Sequence, residues 1–440
     1  MTRSATPATA LSPNLDFLRA VAVLLVYCFH LLLTTGPRMP DFLAQFGVIL
    51  FFVHTSLVLM FSLERIDLRG QKLFATFYLR RLFRIYPLSV VCVSLIIMFQ
   101  LPRAPWWPWS QPDVSTILAN LLLYTEFAYK PVVTSVLWSL PYEVAMYAVL
   151  PFCYLAGKAY GIRGLLALWG LSVVGGIVQP YISWRLGLAQ FAPCFIAGAV
   201  CYFMGYGVRR RPLPFFGWPL ILLAAAGMQA LGTYYEYEHV SRWLLCLMIG
   251  LTAPFFAELN RPLLNKGTEL IARYSYGIYL THLHAQWVAL VVLKDQPAAV
   301  RYSVLMALSI GLPVALYHVV EAPMIRLGAR LAASLSTTSA RISGCSFSAT
   351  IPGHCRFSTV NPSFAAGCPR LNRRSSAISF RGHDDRHRAT RARLPRARTY
   401  QASDAVEGDR AMQGRRGPVR LPWEWSKHHA IHLLRALQKG

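Results

Sequence analysis

Two ionisable side chains, Arg19 and His30, interrupt the first apolar run of the chain, FLRAVAVLLVYCFHLLL. They are eleven residues apart. On a helix that spacing returns within ~20° of the same face, with a rise of ~16 Å. A guanidinium near a membrane surface can snorkel or meet an anion, and an intramembrane imidazole suits proton transfer. The plainer reading of His30 is a core histidine hydrogen-bonded to a neighbouring helix.

A third ionisable group, Glu143, stands in VLWSLPYEVAMYAVLP, with Ser139 and Tyr147 one turn to either side on the same face. Counted from the apolar-run ends, Glu143 lies ~9 Å and His30 ~6 Å below the outer boundary. A carboxylate and an imidazole at one level could form a general-base pair, with Glu143 orienting His30 or acting itself. The alternative is a buried structural Glu–His pair. In FYLRRLFRIYP, Arg81 and Arg84 share a helix face three residues apart. Guanidinium forks match phosphate oxygens, although ordinary cationic anchoring would place the same residues there. The stretch YSYGIYLTHLH adds Ser275, Tyr276, Tyr279 and His282. His282 either lines the same cavity or is a satisfied core histidine. His54 and His318 are weaker candidates, and Glu321 reads as a cap or salt-bridge partner.

The elements that must position these groups are membrane helices. Of the 440 residues, 55% are hydrophobic and 14% charged, against about 25% charge in soluble chains. Spanning a bilayer takes ~20 mostly apolar residues. Ten runs qualify: about 15–34, 45–63, 85–101, 137–156, 164–181, 189–206, 216–233, 243–259, 274–293 and 302–320. The run near 116–125 is short and reads as a re-entrant or surface helix. The expected fold is therefore an all-α integral membrane protein with about ten transmembrane helices. With the N-terminus inside, cytoplasmic segments carry 18 Lys and Arg against 7 outside. That bias predicts both termini in the cytoplasm. The outer loop 102–114, with Trp106, Trp107 and Trp109, resembles an aromatic belt.

A compositional boundary lies near Leu335, which divides a polytopic membrane domain, 1–334, from a tail, 335–440. In the tail Leu, Ile, Val and Phe total 18 of 106 residues, too few for a packed core. The tail carries +13 of the net charge of +25. It reads as a disordered, Arg-rich segment, with a short interfacial helix at 428–437 as one option. Out-of-frame coding sequence is another reading of so abrupt a change. Its arginines lack the context of a nucleic-acid module, so no nucleic-acid partner is expected. There is no GxGxxG, Walker A, HExxH, GxSxG or CxxC motif, and no metal site is expected.

The ordered set NLDFLRAVAVLLVYCFH, GVILFFVHTSLVLMF, YLRRLFRIYP, LWSLPYEVAMYAVLP, YSYGIYLTHLH and VEAPMIRL resembles the membrane-bound acyltransferase 3 family, the bacterial O-acyltransferases of surface and exported polysaccharides. The resemblance spans most of 14–331, and the Trp-Ser-Leu-Pro-Tyr-Glu form is similar to members that modify exopolysaccharide. It implies transfer of an acyl group, usually acetyl, from cytoplasmic acetyl-CoA or another acyl-CoA to a sugar hydroxyl in the bacterial inner membrane. No bound cofactor is implied. Its partners would be acyl-CoA, a polysaccharide or lipid-linked sugar, and membrane lipids. By resemblance, Arg19 and His30 map onto the family's Arg–His pair, Arg81 and Arg84 onto its Arg-x-x-Arg motif, and Trp138, Glu143 and Tyr147 onto its Trp and Glu-x-x-x-Tyr positions. This implies His30, Glu143 and Arg19 as catalytic groups and Arg81 and Arg84 as donor-binding groups. Trp138, Ser139, Tyr142, Tyr147 and His282 are the expected substrate contacts. Departures are Ile49 and the Thr55-Ser56 pair in the second run, where relatives carry Asp and Ser-Gly. The class alternative is a polytopic transporter or flippase for a glycan or lipid intermediate, using the same polar groups as a path.

Overall fold

The computed structural model describes residues 12–36, 42–66, 68–101, 111–205 and 213–344. The described residues contain helices and a single isolated β-bridge, Leu213 to Phe256, with no strand. In chain order the helices are α1 (Pro13–Thr35), α2 (Phe42–Glu64), α3 (Gln71–Phe99), α4 (Val114–Leu121) and α5 (Thr125–Ala128). A 3₁₀ turn, Ser135–Ser139, leads into α6 (Leu140–Ile182). Next come α7 (Leu188–Phe203), α8 (Gly217–Tyr234), α9 (Glu238–Thr252) and α10 (Pro262–Trp287). Last are α11 (Ala298–Leu316) and α12 (Ala322–Gly344), joined by a π-helical turn, Tyr317–Glu321.

Helix covers most of each of the ten apolar runs among the described residues, though with different bounds. α3 begins at Gln71 and α10 at Pro262, well before their apolar windows, because the polar residues ahead of those windows continue the same helix. The window 243–259 is helical only to Thr252 and then turns at Ala253–Phe255, where Pro254 removes a backbone donor. α6 holds two of the runs and breaks between them at Gly161, whose φ of 64° is open to glycine. Five helical stretches are long and apolar enough to cross a membrane: Pro13–Thr35, Phe42–Glu64, Gln71–Phe99, Ser135–Ile182 and Ala298–Ser334. At eight residues α4 is too short to cross. Asp113 caps it by accepting the Thr116 amide hydrogen at 2.9 Å.

The most enclosed of these stretches is α2. Its run is apolar on every face, with Ile49, Leu50, Phe52, Val53, Leu57 and Met60 all buried. A helix apolar all round belongs inside a bundle. Two glycines allow neighbours to close on it. A Cβ on Gly47 would stand 2.7 Å from the Ala22 carbonyl oxygen of α1, and one on Gly198 of α7 would meet the Val53 carbonyl. The start of α1 is tied down by Asn14, which donates to the Ala257 carbonyl and accepts from the Leu259 amide, both at 2.9 Å.

α12 runs through Leu335 to Gly344, so the first ten residues of the presumed disordered tail are helical. Leu327, Leu331 and Leu335 recur at i, i+4 in the sequence, a helical spacing that composition averaged over 106 residues does not register. The remainder of the tail, with the proposed 428–437 helix, and the tryptophans of 102–110 lie outside the described residues.

Candidate active site

α1, α2, α3, the start of α6 and α10 surround one cavity, with about 720 Å³ of empty space when its mouth is included. Its polar lining is Arg19, His54, Thr55, Arg81, Arg84, Ser139, Glu143, Tyr147, Ser275, Tyr276 and Tyr279. The apolar wall comes mainly from α2, including Val48, Phe51, Phe52, Val58 and Leu59. Three guanidinium groups thus share a crevice with one lining carboxylate.

Local contacts fix most of these groups. Arg19 Nε donates to Ser275 Oγ at 2.6 Å, joining α1 to α10. Arg81 reaches Ser62 Oγ at 3.4 Å and lies over the Phe77 ring, while its buried Nε has no hydrogen-bond partner. Arg84 Nη1 lies 3.3 Å from Glu321, whose carboxylate is fully buried. Tyr147 donates to Glu143 Oε1 at 2.5 Å, the i, i+4 pairing of α6. Tyr279 donates to the Val136 carbonyl at 2.7 Å, so the 2.8 Å contact between its oxygen and Ser139 Oγ is donated by Ser139. Tyr276 donates to the Ile85 carbonyl on α3 at 2.9 Å.

The expected His30–Glu143 pair does not form. His30 instead faces His282, with His30 Nδ1 and His282 Nε2 3.4 Å apart and ring centroids 5.0 Å apart. Glu143 sits with Arg19, Arg81 and Arg84 around the cavity, which His30 does not line. The reason is depth. Val136, Leu137, Ser139, Leu140 and Tyr142 are all buried, so the start of α6 lies inside the bundle, beside the cavity. Glu143 therefore shares a level with Arg19, whereas His30 is ~16 Å of helix rise further along α1.

α1 and α10 run in the same direction. Arg19 meets Ser275, and further along both helices Tyr27 accepts from Gln286 and His30 meets His282. Tyr279 connects the two levels. It lines the cavity, and its backbone carbonyl lies 2.9 Å from His282 Nδ1.

Of the expected substrate contacts, Ser139 and Tyr147 line the cavity. Trp138 and Tyr142 turn the other way and pack on Phe191 of α7, at centroid distances of 5.6 and 4.6 Å. Tyr142 also hydrogen-bonds Glu126, whose carboxyl burial pushes above its ordinary pKa while that bond opposes the shift. Buried His54, weak on sequence alone, belongs to the cavity lining. The one available signal was an imidazole in an otherwise apolar run. Glu321 pairs with Arg84, in keeping with its reading as a salt-bridge partner.

No curated protein and no solved structure gives a significant match to the chain. Residues 12–318 match a family described as "Acyltransferase domain". That stretch contains α1 to α11 and every residue of the cavity. The apolar helices and this match make the chain a membrane protein and an O-acyltransferase, one that takes an acyl donor and a hydroxyl acceptor. The chain belongs to the acyltransferase 3 family.

Proposed function

We propose that the chain transfers an acyl group, most simply acetyl, from cytoplasmic acyl-CoA to a hydroxyl of an exported or cell-surface polysaccharide, or its lipid-linked precursor. The observation that carries this reading is the convergence of Arg19, Arg81 and Arg84 on one crevice of an acyltransferase. Three guanidiniums against one lining carboxylate suit the phosphates of CoA. Arg81 and Arg84 stand as the main phosphate contacts, with Arg19 beside them. The cofactor-like part of the donor arrives and leaves as substrate, and no resident group is required.

His30 is the general base. The pantetheine arm, extended from the arginines along α1 and α10, covers the rise to His30. The imidazole takes the proton of the acceptor hydroxyl as its oxygen attacks the thioester carbonyl. The C–S bond breaks, and the departing thiolate recovers that proton to leave as free CoA. Glu143, held by Tyr147, balances and spaces the guanidiniums instead of assisting His30 directly. The chain crosses the bacterial inner membrane ten times, with both ends in the cytoplasm, so that donor and acceptor approach from opposite sides. A transporter would need no acyl chemistry, and membership of an acyltransferase family sets it aside.

The test is mass analysis of the exported polysaccharide from cells carrying the wild-type or the His30→Ala chain at equal protein level. The acyl increment is expected to disappear with His30→Ala. Wild-type acylation by that variant removes His30 from the base role, and an unacylated polysaccharide in wild-type cells removes the acceptor.

A further inference from the structure

We infer that His282 is a positioning residue for His30: it shares the Nδ1 hydrogen of the base and steadies the charge the base acquires. The inference rests on the reading of His30 as the base. Four contacts carry it. His30 Nδ1 lies 2.9 Å from the Val26 carbonyl oxygen and 3.4 Å from His282 Nε2. His282 Nδ1 lies 2.9 Å from the Tyr279 carbonyl and 3.1 Å from that of Ile278.

Carbonyl oxygens only accept hydrogen bonds, so any nitrogen held against one must carry the hydrogen. His282 is therefore protonated on Nδ1 and, as a neutral imidazole, has its lone pair on Nε2. His30 is likewise protonated on Nδ1 and shares that hydrogen between the Val26 carbonyl and the His282 lone pair. What remains is His30 Nε2, which carries the lone pair a general base needs. The protons of both rings are thus decided by backbone groups of α1 and α10.

When His30 accepts the acceptor's proton on Nε2, the ring becomes an imidazolium and its Nδ1–H becomes a charge-assisted donor. The contact to His282 strengthens at that moment, and a contact stronger in the transition state than in the ground state raises the rate. His282 therefore occupies the place held by the orienting carboxylate of a hydrolase triad, but with a neutral ring. A neutral partner avoids placing a bare carboxylate in the hydrocarbon layer, which is costly. His282 is 2% exposed and does not line the donor cavity, so it acts through His30 and not on the donor.

The experiment uses the full chain in membranes, radiolabelled acetyl-CoA, and exported polysaccharide from the same cells stripped of its acyl groups. Wild type, His30→Ala, His282→Leu and His282→Gln are compared at equal protein level. Replacing His282 by Leu removes the side-chain acceptor of the Nδ1 hydrogen, leaving only the Val26 carbonyl, but keeps the volume. It is expected to lower kcat on the order of 10²-fold, with KM for acetyl-CoA unchanged. Glutamine restores an oxygen near the Nε2 position and is expected to recover at least ~10-fold of that loss.

Wild-type kcat in a folded His282→Leu chain overturns the inference. So does a His282→Gln chain that inserts normally yet is as slow as His282→Leu. A loss that appears only as a raised KM for acetyl-CoA also overturns it, since it would make His282 a donor contact. If His282→Leu fails to accumulate, the glutamine chain alone decides: kcat within ~10-fold of wild type supports the inference, and a larger loss overturns it. Full transfer by His30→Ala instead defeats the base reading itself, whatever the His282 variants do.

Discussion

Arg84 and Glu321 form an ion pair 3.3 Å long between the start of the third apolar run and the end of the last. The carboxylate is wholly enclosed, whereas the guanidinium also lines the cavity. One arginine thus serves both the fold and the cavity proposed to take the donor, and the two uses are separable.

Replacing Arg84 by Ala is expected to raise KM for acyl-CoA by roughly tenfold to a hundredfold. It also strands a buried carboxylate, at a cost of about 3 kcal/mol. Thermal unfolding in detergent measures the second effect. The double variant Arg84→Ala with Glu321→Gln is expected to recover stability but not donor affinity. An unchanged dependence on acyl-CoA would return Arg84 to plain cationic anchoring.

Tyr147 donates to Glu143 across one helical turn. A hydrogen bond to a charged group contributes about 1.5–3 kcal/mol. Tyr147→Phe is therefore expected to lower kcat/KM by ~10- to 100-fold, with protein level unchanged. Glu143→Gln still accepts from the tyrosine and should retain more activity than Glu143→Leu. Equal activities of those two variants would show that the Tyr147 contact contributes nothing to the arginine cluster.

His54 stands on α2 between apolar residues and lines the cavity. Its replacement by Leu removes a polar group from an apolar helix, so stability should hold or rise by ~1 kcal/mol. If the imidazole contacts the donor, KM for acyl-CoA rises by about tenfold. A steady-state titration that leaves KM where it was would make His54 a structural residue.

Ending the chain after Gly344 removes 345–440 and leaves α12 entire. The family match closes at 318, ahead of that point. Acyl transfer by the shortened chain is expected within roughly twofold of the full chain. Complete loss would give the basic tail a part in activity, as a scaffold for anionic partners would require.

Periodicity and composition were enough to place helix on each of the ten apolar runs, because burying a backbone in lipid leaves few other solutions. The residue types were legible as well. An arginine, a histidine or a glutamate among leucines is costly, and Arg19, Glu143, Arg81 and Arg84 do meet around one cavity. Partner choice was not legible. Counting inward from the ends of apolar runs put His30 and Glu143 at one depth, but the segment before α6 is folded into the bundle, and its apolar residues answer to packing between helices. Packing among α1, α6 and α10 gave Glu143 to the arginines and His30 to His282. A sequence states how far along its own helix each side chain lies. Which helix stands opposite, and at what height, is set by the fit of side chains between helices, and that exists only once the chain has folded.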